Sequence, residues 1–425
     1  MTISNQKFQE IWLITNQWVL CGILFFLPIN LFLNNLFLTI FLALFGLQTL
    51  YFFVIKKNRP PKVNVWLLVI LNIPVLLLLF GMTYSPEYAQ GFKELGRLFP
   101  MILISCYVLI RPAFFKMVKL KALQALILGC AVAALLCWGL TFAEILQNNE
   151  PLSRFLSKYY ASHHLAEQID VHTPYLALFV NLALGAVVYC LHNKKRLFSL
   201  WVYRVIFALL CLFLLHLMAR NAIFSFIVFG TIYLVVTKKY IPLAIFGIVV
   251  ASLFYYIQTT ETNFLRDRFI KSVNVFENET IFSKKDNRFD RLATNFEVFK
   301  KFPIIGPGTA NEDQYRKEAY FINRDSEAYN DNYNAHNQFM EYLSTYGIVG
   351  GISFLVLFIT LFKVAIVQRD VLLLFLISAF FIANLSESML ERSWGIVCFL
   401  TIVMLGAGSF QLKARPISLN PETHA

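Results

Sequence analysis

Charge is scarce in this chain. Only 15% of its 425 residues are Asp, Glu, Lys or Arg, against 58% hydrophobic residues and a mean hydropathy of +0.61. A soluble domain cannot bury so much apolar surface, so a water-soluble globular protein is excluded. Cysteine is missing from the polar segments: Cys21, Cys106, Cys130, Cys137, Cys190, Cys211 and Cys398 all lie in apolar windows. That excludes a disulfide framework or thiolate metal site in the loops and leaves the thiols as small core residues. No window alternates at period two, which excludes barrel strands, and there is no tandem repeat or low-complexity tract. A glycine-rich nucleotide loop and a paired-aspartate metal motif are also missing, so no nucleotide, metal or other cofactor is expected. No basic-aromatic motif suggests nucleic acid.

What is present is a series of apolar windows at roughly 14–33, 36–55, 65–83, 98–110, 123–147, 173–192, 197–219, 221–237, 241–258, 341–365, 371–389 and 395–412. At ~20 residues per crossing these give about twelve spans, and in hydrocarbon only helices satisfy their own backbone. The expectation is an all-α polytopic membrane protein. Basic loops recur after every second window: Lys56, Lys57, Arg59 and Lys62; Arg111, Lys116, Lys119 and Lys121; Lys194, Lys195 and Arg196; Lys238 and Lys239; Lys363 and Arg369; Lys413 and Arg415. Because Lys and Arg gather on the cytoplasmic side, both termini are expected there, and the loops at 84–97, 148–172, 259–340 and 390–394 on the opposite side. The formal charge of +12 reads as this asymmetry plus attraction to anionic lipids. The first window lacks a small-residue cleavage site and reads as a retained span.

The expected organisation is a single membrane domain, 1–425, carrying one large extracytoplasmic loop at 259–340 between spans nine and ten. That insertion mixes acids and bases with Phe, Tyr and Asn, unlike a charged disordered tail. Within it Phe289, Leu292, Phe296 and Phe299 recur at three- and four-residue spacing, which predicts an amphipathic helix ended by Pro303 and Gly306-Pro307-Gly308. Arg288 and Arg291 are placed in its first turn, beside the apolar stripe.

Several residues stand where chemistry is possible. Arg220 lies between two apolar windows with almost no loop, and it reads either as snorkelling to the headgroups or as a buried anion clamp. Its planar fork of donors suits phosphate or pyrophosphate. Arg288 and Arg291 admit the same reading, or that of solvated surface charges. His336 lies at the start of the tenth span, where Asn334 or Asn337 can cap the helix. The positive helix end disfavours imidazolium and leaves the ring able to accept a proton, the alternative being a hydrogen-bonding histidine. His163, His164 and His172 match no metal-ligand spacing. With Thr173-Pro174 read as N-cap and N1 of the sixth span, His172 faces the outer membrane surface as a candidate substrate contact. Gly347, Gly350 and Gly351 permit close helix contact.

Arg288 before an amphipathic helix and Pro303-Ile304-Ile305-Gly306-Pro307-Gly308, then His336-Asn337-Gln338-Phe339, Glu341-Tyr342-Leu343 and Tyr346-Gly347-Ile348-Val349-Gly350, resemble the O-antigen ligase and O-antigen polymerase superfamily. Ala219-Arg220-Asn221 is similar to the Ser-Arg-Gly-type turn of that family, with Ala and Asn at its flanks.

The resemblance implies a membrane glycosyltransferase with a GT-C-like fold in the bacterial inner membrane. Its donor would be a glycan on undecaprenyl pyrophosphate and its acceptor the lipid A core, joined on the periplasmic face with inversion at the anomeric carbon. Arg220, Arg288 and Arg291 would hold the pyrophosphate, His336 would take the acceptor's proton, and His172 and Asn337 would contact substrate. An O-antigen or capsule polymerase using the same donor is the near alternative. A protein O-glycosylating relative and a lipid or glycan transporter are further ones; the paired interrupted helices of a transporter are not seen.

Overall fold

The computed structural model describes residues 2–55, 57, 63–194, 197–260, 287–323 and 325–410, except for the side chains of residues 2–9, 52, 55, 287 and 288. Among the described residues every regular element is helical and no strand is present, as the apolar windows require. As far as they are described, the windows lie largely on helix, although 14–33 crosses a turn at residues 27–30 and 65–83 divides between two helices.

Helices α1 (Thr2–Phe26) and α2 (Leu31–Leu50) pack as a hairpin. Asn30 caps α2 by accepting the Leu33 N–H, and Asn34, Leu38, Phe41, Phe45 and Gln48 form its buried face at helical spacing. Buried amides join the pair: Asn34 Nδ2 donates to the Ile23 carbonyl at 2.7 Å and Asn16 Nδ2 to Gln48 Oε1 at 3.1 Å. Such bonds supply helix association where lipid removes the hydrophobic drive. Next, α3 (Val65–Leu71) and α4 (Ile73–Met82) meet at an angle of 67°. The bend has two causes: Pro74 brings no N–H to the ladder, and the Asn72 side chain donates to the Leu68 carbonyl.

After α5 (Tyr88–Ile110) comes α6 (Pro112–Gln147), whose 36 residues extend about 54 Å at ~1.5 Å per residue and overrun a ~30 Å hydrocarbon core. Lys116, Lys119 and Lys121, placed in a loop by the sequence, belong to its first turns. Phe114, Phe115, Val118 and Ala122 interleave with them on a buried face, which keeps the helix going. There Lys119 pairs with Asp370 at 3.2 Å. The short α7 (His163–Glu167) leads to α8 (Thr173–His192), α9 (Leu200–His216), α10 (Arg220–Val236) and α11 (Tyr240–Thr259). α8 is buried on nearly all sides between α6, α9 and α16 (Val371–Asn384), whereas α11 buries only Ile257 and presents its apolar residues outward, as a lipid-facing helix does.

The polar insertion contributes α12 (Asn287–Lys301), α13 (Glu312–Ile322) and α14 (Ser326–Asp331), followed by α15 (Gln338–Val367) and, after α16, α17 (Ser393–Leu405). The amphipathic helix forms where expected, but its buried face differs. Arg291, Thr294, Asn295 and Val298 turn inward, while Phe289 and Phe296 of the expected apolar stripe are exposed. The reason is the surface it meets: α12 docks on the polar start of α15, where Ser344 Oγ donates to Asn295 Oδ1 at 3.2 Å. Arg291 accordingly lies in the second turn, one turn beyond its expected place.

The helix α15 breaks at Gly347, whose φ of +62° no β-branched or bulky residue would adopt without strain. The Pro303–Gly308 turn fills the break: Ile348 N–H donates to the Pro303 carbonyl at 2.9 Å and Gly308 N–H to the Thr345 carbonyl at 3.0 Å. A Cβ on Gly347 would stand 2.5 Å from the Ile304 carbonyl carbon, so the glycine admits a loop and not the neighbouring helix expected from sequence.

Among the described residues five helices (α2, α6, α8, α11 and α15) are long and apolar enough to cross a bilayer, and α3 with α4 make a sixth if the bent pair is one span. Residues 10–26 of α1, and α9, α10, α16 and α17, are shorter apolar helices. The chain is a multi-pass membrane protein.

Candidate functional site

His336 sits in the short segment between α14 and α15, with a backbone φ of +48°. Asn337 is the N-cap of α15: its Oδ1 accepts the Met340 N–H at 3.0 Å and its Nδ2 donates to the Leu385 carbonyl at 3.0 Å. Asn334 takes a different part, accepting the His336 N–H at 3.1 Å. The loop 385–392 joining α16 to α17 is stitched to this segment residue by residue. Gln338 Oε1 accepts the Leu390 N–H at 2.7 Å, Glu341 Oε2 accepts from Ser388 Oγ at 3.4 Å, and Glu387 faces His336.

The last contact is chemically the most telling. Both carboxylate oxygens of Glu387 lie 3.2 Å from His336 Nδ1. A carboxylate can only accept, so Nδ1 carries the proton and Nε2 is left as the basic nitrogen. Nε2 is buried and has no hydrogen-bond partner among the described residues. A histidine oriented from behind by a carboxylate, with its other nitrogen available, is the arrangement of a general base.

Beside it is a cavity of about 270 Å³, lined by Ser162, His163, Asn181, Arg220, Ser225 and Ser386 among others. Ser386 and Met389, on the two sides of Glu387, form part of its wall, so the cavity adjoins the His336–Glu387 pair. Arg220 is the first residue of α10, half-buried, and reaches the cavity because the turn from α9 takes only Leu217, Met218 (φ +50°) and Ala219. His216 anchors that turn. It accepts the Trp138 indole N–H on Nδ1 at 3.1 Å and donates from Nε2 to the Phe155 carbonyl at 3.0 Å, while its own carbonyl accepts the Ser162 N–H.

His172 is the N-cap of α8, with Thr173 at N1 and Pro174 at N2, one residue earlier than the sequence suggested. The Thr173 hydroxyl is engaged with His163 Nδ1 at 3.3 Å and caps nothing. The His172 ring lies 5.6 Å from that of His163 on the cavity wall. Burial lowers its pKa below the ordinary histidine value, with Glu387 working the other way and Arg392 adding to the lowering. His164 is separate from these two and pairs with Glu144 at 2.9 Å. Of the candidate residues, Arg220 lines the cavity itself, while His172 lies beside its wall residues His163 and Thr173, and His336 reaches its edge through Glu387, next to the wall residue Ser386.

The other two arginines stand differently. Arg291, 8% exposed, lies over the Tyr333 ring at 4.0 Å from its centroid and 3.9 Å from Glu327; Tyr333 in turn packs 5.7 Å from the His336 ring. It thus reaches the histidine through a tyrosine. Arg288 begins α12, and its side chain lies outside the described atoms.

Sequence reasoning missed Glu387, Tyr333 and the part played by Glu341. Glu387 was enclosed in an apolar window read as running to residue 389, whereas α16 ends at Asn384. The signal was available, since a carboxylate inside an apolar window is itself a mark of function.

No curated protein matches the chain. Residues 205–355, which contain Arg220, Arg288, Arg291, His336 and Asn337 but end before Glu387, match the family model described as O-antigen ligase. Over this segment, about a third of its 425 residues, the chain is similar to the O-antigen ligase family.

Proposed function

We propose that the protein is an O-antigen ligase that transfers a glycan from undecaprenyl pyrophosphate to the lipid A core on the periplasmic face of the bacterial inner membrane. In this reading about twelve spans form a GT-C-like membrane domain, 1–425, with both termini cytoplasmic and residues 259–340 as a periplasmic loop. The reaction requires a base for the acceptor hydroxyl and fixed positive charge for the departing pyrophosphate. The observation that carries the reading is the His336–Glu387 pair, whose carboxylate is flanked by Ser386 and Met389 of the cavity that Arg220 lines.

In the transfer the acceptor oxygen attacks the anomeric carbon as its bond to the phosphate oxygen breaks. The acceptor proton passes to His336 Nε2, and Glu387 stabilises the resulting imidazolium through Nδ1–H. Undecaprenyl pyrophosphate leaves with the bonding electrons, and its growing charge is met by Arg220 and by Arg288. Arg291, paired with Tyr333 and Glu327, would contribute by holding the wall behind His336. His172 and Asn337 would contact substrate. Metal is given no part in these steps.

His336→Ala is the direct test. Loss of an acid-base group should lower glycan transfer by about 10²–10⁴-fold while the protein remains folded and inserted. Transfer by the purified variant at close to the normal rate would remove His336 from the chemistry. A polymerase would use the same residues and donor but a second lipid-linked glycan as acceptor, and the two differ in the product made.

A further inference from the structure

We infer that Glu341 is a positioning residue that holds His336 and Glu387 in register, an inference that rests on the reading of His336 as the base. Glu341 lies in the first turn of α15 and is 2% exposed. Its Oε2 accepts the Ala335 N–H at 2.7 Å and the Ser388 hydroxyl at 3.4 Å. Ala335 immediately precedes His336, and Ser388 immediately follows Glu387. One carboxylate oxygen therefore grips the residue before the base and the residue after the base's partner, although these belong to opposite ends of the α15–α16 pair.

The other oxygen explains how so buried a charge is kept. Glu341 Oε1 accepts from Arg316 Nη1 at 2.6 Å, and Arg316, itself 4% exposed, is also bound by Asp313. A buried ion pair of this kind stabilises little by itself, since desolvation offsets the attraction, but it fixes direction. What it fixes here is the segment in which His336 takes a left-handed backbone conformation. The Ala335 N–H held by Glu341 and the His336 N–H held by Asn334 secure that conformation from adjacent peptides. Every group bonded to the Glu341 carboxylate is a donor: an amide N–H, a hydroxyl and a guanidinium. An amide of the same shape would have to turn its own NH₂ toward one of them. The carboxylate is thus chemically required, and its loss reaches the reaction through the angle and distance between His336 and Glu387.

The test is a kinetic comparison of Glu341→Gln and Ser388→Ala, each in the native protein and together with His336→Ala, in lipid vesicles with a lipid-linked glycan donor. Glu341→Gln should lower kcat by about 10–100-fold, a part of what the base supplies, with the donor KM held within about twofold. Ser388→Ala, which removes only the longer bond and leaves the charge pair intact, should lower kcat by about 3–10-fold. Beside His336→Ala neither change should reduce the residual rate further, because both act through the imidazole. Equal losses in the two backgrounds, or a rise in KM matching the fall in kcat, would make Glu341 a stability residue and overturn the inference. If Glu341→Gln does not fold, Ser388→Ala decides, and an unaltered kcat in that variant rejects the positioning role. Should His336→Ala itself be active, the functional reading fails first, and the two failures are told apart.

Discussion

Replacing Glu387 by Gln would separate charge from shape in the His336 pair. The amide carbonyl can still accept the Nδ1–H, so the tautomer is preserved and only the negative charge is lost. Both oxygens lie 3.2 Å from Nδ1. Two unit charges at that distance attract by about 5 kcal/mol at an effective dielectric of ~20. Before the reaction the imidazole is neutral and this attraction is absent; it appears as the proton arrives on Nε2, so it stabilises the transition state over the ground state. Allowing for the amide dipole that remains, about 2–4 kcal/mol should be lost, which is a fall in kcat of roughly 30- to 1000-fold. The assay is the initial rate of glycan transfer by purified protein in vesicles, with thermal unfolding as the check on folding. Glu387→Asp keeps the charge at a longer reach and should recover part of the rate. A kcat for Glu387→Gln within about threefold of the native value would refute the argument that this carboxylate supports the developing imidazolium.

Two further outcomes follow from the arginines and the buried acids. Arg220→Lys keeps charge but loses the planar fork that matches a pyrophosphate, and Arg288→Lys does the same at the start of α12; each should reduce transfer and weaken donor binding by about 10-fold, read by titration with labelled lipid-linked donor. Unchanged binding and turnover in both would take the pair out of the site. Glu391 lies in the loop that carries Glu387, and burial, then the neighbouring Glu341 carboxylate, raises its pKa to about 8. With the folded pKa above the unfolded value of about 4.3, the stabilisation is complete below that value and is lost as pH rises toward 8. The melting temperature of the native protein should therefore fall between these limits relative to that of Glu391→Gln, and parallel curves for the two would contradict the shift.

How much of this was legible in the sequence depended on the kind of signal. Helical class and membrane insertion follow from uninterrupted apolar runs, which no other structure satisfies in lipid, and the described residues are helical without a strand. His336 stood out in the sequence because it lies where a long polar loop meets the start of a span, and Arg220 because a guanidinium has no room in so short a turn. The buried face of α12 was not legible: hydrophobic spacing pointed to Phe289 and Phe296, but the surface offered by α15 is polar, and Asn295 and Arg291 pack there instead. Gly347 likewise looked like a helix-packing residue, while its positive φ makes room for the Pro303–Gly308 turn, a contact between distant segments that no local pattern encodes. Glu387 was hidden by a boundary error of a few residues, the least certain part of any window reading.

The central claim is best tested by the envelope glycans of a strain lacking the protein, because a ligase and a polymerase consume one donor and fail in different ways. Gel analysis of lipopolysaccharide should be run beside extracted lipid-linked glycan. Loss of the ligase proposed here should leave long glycan stranded on undecaprenyl pyrophosphate and lipid A core that is bare, with the native gene restoring transfer and the His336→Ala gene failing to do so. Core carrying a single repeat would contradict the ligase reading and establish the polymerase in its place.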